Sequence, residues 1–172
     1  GKRIMLVVSD TTPIISLMKM NQLPLLHRLF GVVHIPFTVF KELTNNPKYQ
    51  EEIRVLQASD YIQIDNVDDI EKVQSIRQMG LDAGESEAIV LAKQLSADVL
   101  LMDEAKGRMV AAGYGLQIMG TIGILLQSFK NGLLSRQDII GCIYLLRCHH
   151  RRISEKLFLD LMREIDRIDS HF

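Results

Sequence analysis

Five short apolar runs, separated by longer stretches of helical periodicity, constrain the fold of this chain more than any other feature. The runs are Met5–Val8, Gly31–Ile35, Tyr61–Ile64, Asp98–Met102 and Leu116–Met119, each only four or five residues long. Short, nearly continuous apolar runs suit strands buried on both faces of a parallel sheet, whereas one-sided strands alternate with polar residues. The intervening spacing predicts helices over Pro13–Met20, Leu23–Phe30, Phe37–Thr44, Tyr49–Leu56, Asp69–Met79, Gly84–Leu95, Ala105–Ala112 and Ile122–Phe129. Strand–helix alternation of this kind makes an α/β domain with a central, mostly parallel sheet flanked by helices. The last third is different, because Arg136–Leu146 and Ser154–Ile168 read as two longer helices forming a C-terminal hairpin packed on the domain. The expected organisation is one domain over residues 1–172, with a core over about 5–130 and a helical extension over about 133–172.

Composition narrows the function classes. The 172 residues include 20 Lys and Arg against 21 Asp and Glu, so no overall field recruits a polyanion, and a nucleic-acid role must rest on a local site. No apolar stretch approaches the roughly 20 residues of a membrane-spanning helix. The run after Lys2 and Arg3 is too short for a signal-peptide core. Cys142 and Cys148 lie six apart in a helical pattern, on different faces, which disfavours pairing and makes the cytoplasm the expected compartment.

In an open α/β sheet, ligands bind beyond the carboxyl ends of the strands, so the acids found there carry the functional question. Asp10 ends the first apolar run. Pro13 suits a first helical position, which makes Thr12 the expected cap and leaves Asp10 without a local task. Asp103 follows the fourth run and either caps the next helix or serves a site. Glu85 stands three residues after Asp82, a capping-box spacing, yet it also heads the Glu85, Ile89, Ala92 stripe that faces the sheet. Glu87, about 200° around the helix from Glu85, is expected to point largely away, as a surface or supporting group. Glu42 adjoins Leu43 at the edge of its helix's inner face, and reads either as a solvated acid or as a fourth member of a set.

Converging carboxylates repel one another and raise their own pKa values unless a multivalent cation holds them, and an all-oxygen donor set suits Mg²⁺ or Mn²⁺. Such an ion lowers the pKa of water and neutralises a phosphodiester under in-line attack. Neither cysteine lies in a nucleophile elbow, and the chain has no GxGxxG or GxxxxGK loop.

Several phrases, in order, resemble the PIN-domain family of metal-dependent ribonucleases, which includes the toxins of VapC-type toxin-antitoxin pairs, and more narrowly a PIN-like branch described as nucleic-acid binding. They are "VVSDTTPIISL", "IPFTVFKEL", "GLDAGESEAIVLA", "ADVLLMDEAKGRMVA" and "GLQIMGTIGILL", spanning residues 5 to about 130, with "RRISEKLFLDLM" resembling the branch's C-terminal end. The resemblance implies a three-layer PIN-like fold and a catalytic, metal-binding quartet of Asp10, Glu42, Glu85 and Asp103. It also implies Mg²⁺ or Mn²⁺ as cofactor, RNA as substrate, a homodimer and, in toxin relatives, an antitoxin partner. Two positions depart from the common toxin pattern: Glu85 stands where Asp is usual, and Leu101 where Thr commonly precedes the last acid by two.

Around the quartet, Thr11, Thr12, Glu87, Glu104, Lys106 and Arg108 are candidate supporting or substrate-binding residues, with Lys106 or Arg108 placed to reach a phosphate. The Arg147–Arg152 stretch, "RCHHRR", offers an RNA-backbone patch or a solvated helix connection, while Cys148, His149 and His150 as zinc ligands are disfavoured because they lack CxxC-type spacing. A catalytically weak or inactive PIN-like module that binds RNA or a protein partner is the alternative function. A phosphatase with Asp10 as nucleophile is disfavoured because Thr12 stands where its second Asp belongs.

Overall fold

The computed structural model describes residues 5–149 and 153–171. All five apolar runs form strands, each starting one or two residues into its run and the first three extending one residue past it: β1 (Val7–Ser9), β2 (Val33–Pro36), β3 (Ile62–Asp65), β4 (Val99–Leu101) and β5 (Ile118–Met119). The helices are α1 (Thr11–Lys19), α2 (Leu25–Phe30), α3 (Phe37–Thr44), α4 (Gln50–Ala58), α5 (Ile70–Gln78), α6 (Ala83–Gln94), α7 (Ala105–Gly113), α8 (Thr121–Lys130), α9 (Arg136–His149) and α10 (Glu155–Asp169). One boundary differs in an instructive way. Helix α1 begins at Thr11, so Asp10 and not Thr12 occupies the cap position, and Pro13 falls at the third helical residue.

The sheet is entirely parallel, in the order β3-β2-β1-β4-β5. The chain therefore runs from β1 outward to β2 and β3, then returns to the other side of β1 for β4 and β5. The reversal lies between β1 and β4, whose carboxyl ends flank the crevice in which such sheets bind ligands. Register fixes this junction, with Ser9 opposite Leu101 and the Asp10 N–H donating to the Leu101 carbonyl at 2.9 Å.

The inner strands are apolar on both faces because both faces are covered. Val7, Val8, Ile35, Leu100 and Leu101 have no exposed surface, and each such burial contributes on the order of 1.5–3 kcal/mol. Helix α6 packs on β1, β2 and β4. Its buried Ser86, Ala88 and Ala92 keep it close to the strands, with Ile89 and Leu91 filling the remaining space. At the other extreme, β3 is an edge strand with Gln63 and Ile64 exposed, and a 2.6 Å contact from His34 Nδ1 to Asp65 Oδ2 ties it to β2.

The chain divides into two compact units, residues 1–121 and 122–172. The sheet and the acids belong to the first. In the second, the expected helical hairpin is present: Arg136 at the start of α9 pairs with Asp166 and Asp169 at the end of α10, while Tyr144 meets Phe158 edge-on at 5.1 Å near the turn. Contacts from first to last and from last to first make the two helices antiparallel. Cys142 and Cys148 are both free thiols.

Candidate functional site

Asp10 is the most constrained of the acids. Its backbone continues the β1–β4 ladder, and its residue surface is only 4% exposed. Although it stands at the cap position of α1, its side chain makes no capping bond across the first turn. Pro13 accounts for part of this, because the third helical residue, whose N–H is a usual partner of a capping carboxylate, has none to offer. Burial raises the Asp10 carboxyl to about 7; the Thr11 N–H pulls it down, and the charges of Asp82, Glu42 and Asp103 push it further up.

Glu42 reaches the same place from α3. Thr11 Oγ1 donates to its Oε2, and its carboxyl lies against the first turn of α6, where a Cβ on Gly84 would stand 2.7 Å from Oε1 and 2.9 Å from Oε2. Glycine at 84 therefore leaves the room that the Glu42 carboxylate occupies. Desolvation raises the Glu42 pKa, the Thr11 hydroxyl lowers it, and the charges of Asp82 and Glu87 raise it. Glu87 is thus near enough to Glu42 for its charge to be felt there.

Glu85 forms the capping box expected of it: its N–H donates to Asp82 Oδ1 at 2.8 Å, and the Asp82 N–H donates to Glu85 Oε1 at 3.4 Å. The box does not keep Glu85 out of the cluster. Its carboxyl is raised to about 8, first by burial, then by hydrogen bonding to Asp82 and the charges of Asp82 and Asp10. Asp82, read from the sequence only as a cap, is thereby a fifth acid that Asp10, Glu42 and Glu85 all feel.

Asp103 is released from capping because Glu104 takes the cap of α7, accepting from the Gly107 N–H at 2.7 Å. Both Asp103 oxygens are held instead by Thr121 at the start of α8. The Thr121 N–H donates to Oδ1 at 2.7 Å and the Thr121 hydroxyl to Oδ2 at 2.5 Å. Local patterning carries no sign of this clamp, since the two residues are 18 apart and belong to different elements.

The remaining candidates scatter. Thr12 is exposed in the first turn of α1. The Lys106 ammonium rests on Gly80, in the turn before Asp82, and the Arg108 guanidinium rests on Gly120 beside Asp103. Within the Arg147–Arg152 stretch, Arg147 stacks on Phe158 with its guanidinium carbon 4.7 Å from the ring centroid, Cys148 and His149 are exposed, and residues 150–152 lie outside the described residues. Among the described residues, no three His, Cys, Asp or Glu side chains form a ready-made ligand set for a metal ion.

A family model described as a PIN domain (DUF3368) matches residues 6–167. The chain belongs to the PIN-domain family. PIN domains are generally nucleases that use divalent metal ions, so the fold is of a nuclease type and the enzyme class, at this coarse level, is hydrolase. The match runs through both compact units and into the last turn of α10, so the PIN family includes the hairpin as well as the sheet. No curated protein matches the chain. Among the described residues, no helix is long and apolar enough to cross a membrane.

Proposed function

We propose that this PIN domain is a metal-dependent endoribonuclease in which Asp10, Glu42, Glu85 and Asp103 hold Mg²⁺ or Mn²⁺. One observation carries the reading: acids from four separate elements meet at the β1–β4 switch point, and no lysine or arginine among the described residues is ion-paired to them. The donor chemistry fits a hard divalent cation, since every candidate ligand is a carboxylate oxygen and their mutual repulsion is what such a charge relieves. When bound, the ion supplies charge neutralisation for the phosphodiester and a lowered pKa for attacking water.

The chain's own residues do the positioning. The β1–β4 ladder fixes Asp10, the Thr11 hydroxyl aims Glu42, and Thr121 grips both oxygens of Asp103. Burial and the neighbouring Asp82 and Asp10 disfavour the charged form of Glu85, a cost that a bound cation would offset. The proposal extends to a cytoplasmic homodimer and an antitoxin partner, supported by the resemblance to VapC-type toxins.

A second reading, a non-catalytic module that binds RNA or a protein partner, is favoured by one observation: Thr11, Thr121 and the Asp82 N–H already occupy oxygens that a metal would need. Incubating the protein with single-stranded RNA in Mn²⁺ or Mg²⁺ separates the two. Cleavage that is lost in Asp10→Asn and Asp103→Asn, with folding retained, supports the nuclease. Binding that EDTA leaves intact, with no turnover on any RNA tried, supports the module.

A further inference from the structure

Two cations follow Asp103 on α7, Lys106 and Arg108, and the structure places them differently. The Lys106 ammonium lies against Gly80, in the turn between α5 and α6 that precedes Asp82. The Arg108 guanidinium lies on the crevice side, over the α-carbon of Gly120. There, the Cβ of any larger residue would fall 2.6 Å from Arg108 Nη1 and 2.8 Å from Asp103 Oδ1, distances that side chains do not reach without displacement. Gly120 is thus a seat shared by one cation and one anion.

The guanidinium shares that seat without being consumed by it. Both Asp103 oxygens already accept from Thr121, and among the described residues Arg108 forms no ion pair. Arg108 is exposed, so its donors face solvent at the edge of a cluster of five acids. A planar, always charged fork beside the acids, with donors unspent, is the arrangement that recognises a phosphate through two parallel N–H bonds. A crevice lined by carboxylates otherwise repels a polyanion, and a cation on its rim offsets that repulsion.

We infer that Arg108 is the phosphate-binding residue of this site, taking a non-bridging oxygen of the RNA backbone from its seat on Gly120, while Lys106 is not. The inference rests on the ribonuclease reading and adds to it the residue that grips the substrate.

The test is binding rather than turnover. Anisotropy of a labelled, mixed-sequence single-stranded oligoribonucleotide is measured in EDTA and again in Ca²⁺, over a series of salt concentrations, for wild type, Arg108→Gln, Arg108→Lys, Lys106→Gln and Gly120→Ala. Arg108→Gln is expected to weaken binding about tenfold and to reduce the salt slope by about 0.7, the value of one lost phosphate contact on a single strand. Arg108→Lys keeps the slope and loses part of the affinity, Gly120→Ala weakens binding by displacing the guanidinium, and Lys106→Gln leaves both quantities near wild type. Wild-type binding with an Arg108→Gln affinity and slope that match it overturns the inference and leaves the ribonuclease reading standing. Absence of wild-type RNA binding in both media overturns the two together.

Discussion

Replacing Asp10 with asparagine should stabilise the metal-free protein above neutral pH. Asn fills the same volume, accepts the same Thr11 N–H and is as good a residue at a helix cap, so the substitution removes a charge and little else. The Asp10 carboxyl sits at about 7 in the folded protein against an ordinary 3.8, so the folded state holds a proton that the unfolded state has released. Folding stability therefore falls as pH rises from about 4 to about 7, then levels off. A shift of about three pKa units corresponds to roughly 4 kcal/mol, an upper figure for a group this buried. Urea unfolding in EDTA at pH 4, 6 and 8 reads the difference directly. Asp10→Asn should match wild type at pH 4 and exceed it by about 2–4 kcal/mol at pH 8. Mn²⁺ at pH 8 should raise wild type and leave the variant unmoved. A variant no more stable than wild type at pH 8, or equally shifted at every pH, would refute the electrostatic account of Asp10.

Two further substitutions probe the same cluster. Gly84→Ala introduces a Cβ at 2.7 Å from a Glu42 oxygen while improving helix propensity by about 1 kcal/mol, so the melting temperature should hold or rise as RNA cleavage falls. A melting temperature that drops together with activity would show general damage instead. Thr121→Val removes the hydroxyl from the Asp103 clamp and should cost about 1.5–3 kcal/mol, with Thr121→Ser restoring most of the loss. Equal destabilisation by Ser and Val would assign the effect to packing.

Much of the fold was legible in the chain because each element depends on its own neighbours. Every strand and helix expected from periodicity is present, most within two residues of the expected ends, since a doubly buried strand and an amphipathic helix must show those periods wherever they occur. Pro13 suits a first helical position, but the structure uses it at the third, which sets the start of α1 two residues earlier, at Thr11. Strand order is a matter of which runs become neighbours, and periodicity is silent on it. At the site, Asp10 was marked by its position at a strand end. Asp82 was hidden behind a capping role that it also fulfils, and Thr121 by the 18 residues that separate it from Asp103. Glu87, read as a surface or supporting group off the sheet-facing stripe, is felt by Glu42 on the neighbouring α3, a relation that the helical wheel of α6 alone does not describe.

The sheet order has a dynamic consequence for these acids. Strand β1 is hydrogen-bonded on both sides and covered on both faces, so its amides should exchange with solvent only when the whole sheet opens. Asp10 rides at the end of that slowest segment. Glu42 stands on α3, which packs on α1, α6 and β2 and buries Val39 and Leu43, and its carboxyl reaches the other acids through its side chain alone, by way of the Thr11 hydroxyl and the space left at Gly84. The cluster is therefore anchored at one corner by the backbone of the sheet and at another only by a side chain, so the Glu42 carboxyl can shift by side-chain rotation while Asp10 moves only with the ladder.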